Sequence, residues 1–356
     1  MTKKILILYT EYAAYLHACL RKLVGLYGYE VHVVRYPLDK NAPFAVGRHE
    51  NIIFYDRADL TKEGILDIYK KINPDAVLVS GWIDNDYIQL VKRFKQEGKM
   101  VVAVVDNQWV GSLKQKLFTT FGKFFLNQRF THFWIPGMAQ FEYLRRIGVD
   151  ADKLMVGYYS ADSDLFLSRY IPVSELPKRF IYVGRLLDIK GTPTLLDAIE
   201  KVNSRGNIDW EFLIIGNGSY EEQVRKLAEK YSNIQYKSFM QPDQLATETA
   251  SGGVFILPSD YDAWGVVVHE YAMLGYPLIL SSMVGSRNYF ITPGYNGYIF
   301  KSRDAESLAR TMEKIMSLNS GLLTEMSGRS HTIGRTITTE GWAARLHESI
   351  ESHYLS

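Results

Sequence analysis

One cysteine, Cys19, stands in 356 residues, so no disulfide can form within the chain, and a lone thiol without a basic neighbourhood reads as core filler. Apolar runs are short: none approaches the ~20 residues that span a bilayer. The N-terminal stretch Met1 to Tyr9 (MTKKILILY) enters an apolar strand at once and has no room for the successive regions of a signal peptide, which points to the cytoplasm. Charge of one sign is lacking too. Forty-one Lys and Arg face 39 Asp and Glu, and a net charge of +2 provides no field for a polyanion, so nucleic acid is not an expected partner. The eight histidines, His17, His32, His49, His132, His269, His331, His347 and His353, never fall at the paired spacing of zinc sites, and no metal or other cofactor is expected. The loop after the first strand, Tyr9 to Tyr15, lacks the three-glycine fingerprint of a nicotinamide dehydrogenase.

What is present is the composition of a soluble globular chain, 47% hydrophobic and 22% charged, at a length that favours two domains with separate cores. Short runs rich in Val and Ile recur at Ile5 to Tyr9, Val31 to Arg35, Ala76 to Ser80, Val101 to Val105 and Phe133 to Ile135, with segments of helical period between them. Strands apolar on both faces and separated by helices predict a doubly wound parallel sheet. The pattern weakens in a stretch with two prolines and several Ser and Asp, then resumes at Phe180 to Val183, Phe212 to Ile215, Ile234 to Tyr236, Val254 to Leu257 and Leu278 to Leu280. The expected organisation is an α/β chain of two Rossmann-like domains, 1–160 and 179–338, joined by a linker at 161–178. Trp342, Leu346, Ile350 and Tyr354 mark one face of a final helix in 339–356, expected to pack back toward the N-terminal domain.

Ligands of doubly wound sheets bind where strands end, which directs attention to four loops of the second half. Gly184-Arg185 and Lys190-Gly191 set two cations five positions apart, suited to the charge that grows on a departing diphosphate. Gly216-Asn217-Gly218-Ser219 is a small-residue turn that either brings amides to an anion or serves only as a turn. In Pro258 to Glu270 (PSDYDAWGVVVHE), a helix beginning at Gly265 places Glu270 in its second turn and Asp262 ahead of its N-terminus; a carboxylate accepts two hydroxyls of a diol together. The turn at Gly285-Ser286 offers amides to phosphate or is an ordinary strand-to-helix loop.

In order and spacing these loops resemble the retaining glycosyltransferases of family 4, whose fold is GT-B, two Rossmann-like doubly wound parallel-sheet domains facing across a cleft. The resemblance runs from Tyr182 to Phe300, with the linker and the final helix. It implies a hexosyltransferase without metal that takes a UDP- or GDP-sugar as donor and a saccharide or lipid-linked saccharide as acceptor. Arg185 and Lys190 would hold the diphosphate, with Gly184, Gly216 and Gly218 shaping that wall. Glu270 would take the ribose hydroxyls, Asp262 with Trp264 and Gly265 the hexose, Gly285 and Ser286 the phosphates, and the loop Ser238 to Pro242, with Met240, the base. Retention is implied, the donor phosphate helping to deprotonate the acceptor.

The sequence departs from the family's pattern in three places. Asp262 replaces the usual Glu, one methylene shorter. Tyr9-Thr-Glu11-Tyr12-Ala-Ala stands where paired glycines often follow the first strand, and Asp106 with Asn107 where a histidine is common. Asp106 either contacts donor sugar or acceptor hydroxyl, or is a helix cap or turn former. A noncatalytic nucleotide-sugar-binding subunit and a sugar-nucleotide epimerase stay as alternatives. Finally, segment 113–129 (LKQKLFTTFGKFFLNQR) puts Leu113, Leu117, Phe121 and Phe124 on one helical face with Lys114, Lys116, Lys123 and Arg129 elsewhere. That face either lies on an anionic membrane or packs on its own sheet.

Overall fold

The computed structural model describes residues 2–38, 43–206 and 208–355. They form two compact units. The first runs to Ser160, apart from a short stretch ending at Phe44, and takes up the chain again from Ile337; the second holds that stretch and Ala161–Thr336.

The first unit is built on a seven-stranded sheet of β1 (Lys4–Tyr9), β2 (Glu30–Arg35), β3 (Ile52–Asp56), β4 (Ala76–Ser80), β5 (Met100–Val104), β6 (His132–Ile135) and β7 (Leu154–Val156) in the order β3-β2-β1-β4-β5-β6-β7. The second has six strands, β8 (Arg179–Val183), β9 (Glu211–Ile215), β10 (Ile234–Lys237), β11 (Val254–Leu257), β12 (Leu278–Ser281) and β13 (Gly297–Phe300), in the order β10-β9-β8-β11-β12-β13. Every named pairing in both sheets is parallel. The central strands are buried along their length, as apolar sequences on both faces require: Ile5 to Leu8, Val101 to Val104 and Val254 to Leu257 are at most 5% exposed. Each sheet reverses direction of winding beside its first strand, β1 between β2 and β4 and β8 between β9 and β11. In such sheets that switch point opens a crevice at the carboxyl ends of the strands.

Segment 161–178 carries a short helix, Ser163–Ser168, and its Leu176 joins the core of the second unit. The final helix, Thr339–Leu355, completes the first unit by packing on the helix Ala14–Tyr27. Trp342 is 2% exposed and stacks on Trp134 with ring centroids 4.7 Å apart, while its Nε1–H donates to the Tyr158 carbonyl. Tyr27 stacks on His347 at 4.1 Å. Cys19 is buried in the core of this unit, as filler.

Candidate functional site

In the second unit the loops that follow β8, β9, β11 and β12 are joined to one another by main chain. The Gly184 N–H donates to the Ile215 carbonyl and the Leu186 N–H to the Asn217 carbonyl, locking the first two together. The Asp260 N–H donates to the Ile189 carbonyl, 3.0 Å, which joins the loop after β8 to the loop after β11. Gly191 makes that approach feasible: its φ is +70°, and a Cβ there would lie 2.0 Å from the Pro258 carbonyl oxygen. Asn217 Oδ1 accepts the Phe239 N–H at 2.9 Å, which holds the loop Ser238 to Pro242, with half-buried Met240, beside the glycine turn.

This architecture brings Lys190 and Asp262 into an ion pair, Nζ to Oδ2 2.7 Å, with side chains only 20% and 12% exposed. Arg185 sits half-buried at the start of the same loop, its carbonyl accepting the Tyr182 hydroxyl at 2.8 Å. The helix Val266–Met273 starts after Gly265, whose φ of +84° turns the chain into it. Among the described residues the first-turn amides of Val266 and Val267 have no protein partner. They add a donor pair just after Asp262, at the positive end of a helix.

Glu270, in the second turn, is half-buried, and burial together with the nearby Asp162 carboxylate pushes its carboxyl up to about 7. Its neighbour His269 is completely buried. The ring's Nδ1 accepts the Ala161 N–H at 3.0 Å, so Nε2 carries the proton and donates to the Gly334 carbonyl at 2.8 Å. His269 therefore fixes the helix that presents Glu270, and Asp162, which caps the helix Ser163–Ser168 through the Leu165 N–H, tunes that acid. Neither role was visible in sequence. The cap signature of Asp162 was there to be read, but not its proximity to a residue 108 positions away.

Three expectations change. The amides of Gly285 and Ser286 donate to the carbonyls of Asp262 and Trp264, at 3.0 and 2.9 Å, so this turn holds the acid loop in place, and the open donors are those of Val266 and Val267. The Gly216 N–H likewise donates to the Lys237 carbonyl; the glycine is needed because a Cβ would lie 1.9 Å from the Gly184 carbonyl oxygen. Gly218 approaches the Leu186 carbonyl in the same manner. Trp264 is 2% exposed and packs against Tyr289 and Phe290, shaping the loop from beneath instead of presenting its ring.

In the first unit Asp106 is not the cap of the helix that follows it, Leu113–Asn127, which Ser112 caps. The Asp106 Oδ2 accepts the Tyr159 hydroxyl at 3.1 Å, and the Tyr158 hydroxyl donates to that of Tyr9 at 2.8 Å. Tyr15 packs edge-on to Tyr159, and burial raises all four phenols well above their ordinary range. An acid among tyrosines thus occupies the carboxyl end of β5.

The raised acid carries a pH dependence. A diol is held best by the ionised carboxylate, and Glu270 ionises only as the pH passes through about 7. Affinity for any ligand that presents a diol to this carboxylate should therefore rise roughly tenfold from pH 6 to pH 8, following the ionised fraction, and Glu270→Gln should bind it more weakly and without that slope. Because the folded pKa lies above the unfolded one, the unliganded protein should lose stability as the pH rises from the ordinary carboxylate range to 7 and level off above it, a trend that Glu270→Gln removes. Calorimetric titration and melting curves at each pH would check both.

Residues 168–330 match the model of the family described as glycosyl transferases group 1. An uncharacterised glycosyltransferase of Methanocaldococcus jannaschii is 28% identical over 152 residues, 42% of this chain and 38% of that protein. Sulfoquinovosyl transferase of Arabidopsis thaliana is 27% identical over 173 residues, 48% of this chain and 32% of that one. The chain thus spans well under half of the length of these curated relatives. Sucrose-phosphate synthase from Thermosynechococcus elongatus superimposes with a TM-score of 0.76 over 99% of both chains at 16% identity. The HepE protein of Anabaena, solved with UDP and glucose, does so with a TM-score of 0.73 over 98% of this chain and 100% of that one at 13% identity. At such identities the likeness establishes the fold, two parallel-sheet Rossmann-like domains of the GT-B type.

Proposed function

We propose that this chain is a glycosyltransferase of the group 1 type that moves a hexose-type sugar, with retention and without a metal, from a UDP- or GDP-sugar to a saccharide or lipid-linked saccharide, as in the synthesis of bacterial surface polysaccharide. The observation that carries the reading is the juxtaposition of the Lys190–Asp262 pair with the helix that bears Glu270, within the segment that matches the group 1 model. Glu270 would accept the ribose hydroxyls, and Asp262 with the Val266 and Val267 amides the hexose. Arg185 and Lys190 would take up the charge of the diphosphate.

In this reading the bond from the anomeric carbon to the diphosphate oxygen breaks and the acceptor oxygen bonds to that carbon on the same face. The acceptor proton passes to a phosphate oxygen of the leaving group. The protein's share is orientation and electrostatics, for which fixed cations and prearranged amides suffice.

Melting curves with UDP, GDP, ADP and their sugar conjugates, without added metal, test the donor site and name the nucleotide. One diphosphate should raise the melting temperature in proportion to the logarithm of its concentration over its Kd, and Glu270→Ala should abolish the rise. Stabilisation by none of them in the folded protein would defeat the proposal. Stabilisation with no transfer to any offered acceptor would favour a nucleotide-sugar-binding subunit.

A further inference from the structure

The helix Leu113–Asn127 is apolar on two sides, and only one of them is used. Gly122 and Leu126 are buried, and half-buried Phe118 and Phe125 join the core of the first unit. Gly122 lets the backbone close on the helix Met138–Ile147, since a Cβ there would lie 2.6 Å from Ile147 Cγ2. On the other side Leu113, Leu117, Phe121 and Phe124 are 78, 67, 57 and 72% exposed. They do not pack on the sheet. Two further apolar side chains in this region are exposed: Val110, three residues ahead of Leu113, at 54%, and Ile83 at 80%, next to Trp82, whose ring stacks on Phe118 on the core side. Isolated exposed apolar residues are ordinary, but a row of this length on one face marks a surface that is covered in use.

The charges around it select the cover. At about 100° per residue the exposed row fills an arc of roughly 80°, with Lys114 about 20° beyond one edge and Lys116 and Lys123 some 60–80° beyond the other. From Asn107 to Phe141 the chain has Lys114, Lys116, Lys123 and Arg129 and no acidic residue. Lys123 pairs with Asp150 at 3.4 Å, and Arg129 lies over the Phe125 ring, whereas Lys114 and Lys116 are exposed and make no ion pair among the described residues. Lysines bordering an apolar row on both sides can carry their ammonium groups to phosphates while the row sinks below them.

We infer that this helix is a membrane anchor of the first unit, lying in the plane of an anionic lipid surface with Leu113, Leu117, Phe121 and Phe124 in the acyl boundary and Lys114 and Lys116 on the headgroups. The inference does not depend on the donor reading, and its test is scored separately from nucleotide binding.

The full chain is sedimented with phosphatidylcholine vesicles with and without phosphatidylglycerol. Wild type should partition onto the anionic vesicles and much less onto the neutral ones. The variant Leu117→Ser/Phe121→Ser/Phe124→Ser, altered only at exposed positions, should lose about a hundredfold or more of that partitioning. Lys114→Gln/Lys116→Gln should lose roughly 25-fold, about fivefold per lysine, and should leave a weaker salt dependence. Melting temperature and nucleotide response should be those of wild type in both. Equal partitioning of wild type onto both vesicles, or variants that bind as wild type does, would overturn the inference. So would a dimer, seen by light scattering, that the triple variant converts to monomer while wild type ignores vesicles.

Discussion

For the transfer proposed above, Lys190→Ala should lower kcat/KM by a factor on the order of 10³ while the protein stays folded. Two losses combine. In the proposed reaction the cation paired with Asp262 no longer meets the charge that develops on the departing diphosphate, and one prearranged electrostatic group of this kind is worth ~10²–10³ in rate. Asp262, only 12% exposed, also loses its ion-pair partner at 2.7 Å and with it the orientation needed to hold a hydroxyl. The second loss is separable from the first: adding Asp262→Asn should recover the melting temperature lost in Lys190→Ala but not the turnover. Lys190→Arg should retain part of the activity, since it keeps the charge but not its placement. Transfer rates from radiolabelled donor, with melting curves alongside, decide the matter, and activity within about tenfold of wild type in Lys190→Ala would remove this residue from the reaction.

Gly191→Ala should be severely damaging for a one-carbon change, costing about 3 kcal/mol or more. An L-residue at φ +70° is strained by ~1–2 kcal/mol before it touches anything. Here the new methyl would also meet the Pro258 carbonyl oxygen at 2.0 Å, a main-chain atom that cannot rotate away. The loops after β8 and β11 must separate, which breaks the hydrogen bond from Asp260 to Ile189 and pulls Lys190 from Asp262. Denaturant midpoints measure the stability loss. Affinity for the proposed nucleotide, measured well below the transition, should fall too, because the same contact sets the spacing of cation and acid.

Sequence patterning located the central strands, buried on both faces, and one edge strand, β10; the three it passed over, β3, β7 and β13, all lie at sheet edges. An edge strand is covered less completely and reads as mixed polarity: in β3 only Ile52 is fully buried, in β7 only Met155. The site loops were legible because each follows a strong strand and concentrates glycine, cations and acids in a few residues. Positions that depend on distant chain were not. The segment read as a linker gives Asp162 to the surroundings of Glu270 and Ala161 to His269, a partnership across more than a hundred residues. Amides look alike in sequence whether spent or open, so the turn at Gly285 and Ser286 resembled a phosphate cradle until the carbonyls of Asp262 and Trp264 were seen to take both donors. The row from Leu113 to Phe124 had two readings because periodicity reports a face without saying what covers it.

The final helix bears on how the protein is made. Its Trp342 fills the space beside Trp134 and its surface closes over the helix Ala14–Tyr27, so the first unit is finished by residues that follow the whole of the second. On a ribosome adding ~5–20 residues per second, the partners of Trp342 wait some ten to forty seconds while the second unit emerges. During that interval the nascent first unit presents an aromatic face that a chaperone can hold, and the second unit, whose strands and helices all lie within one continuous run, is free to fold ahead of the one translated before it.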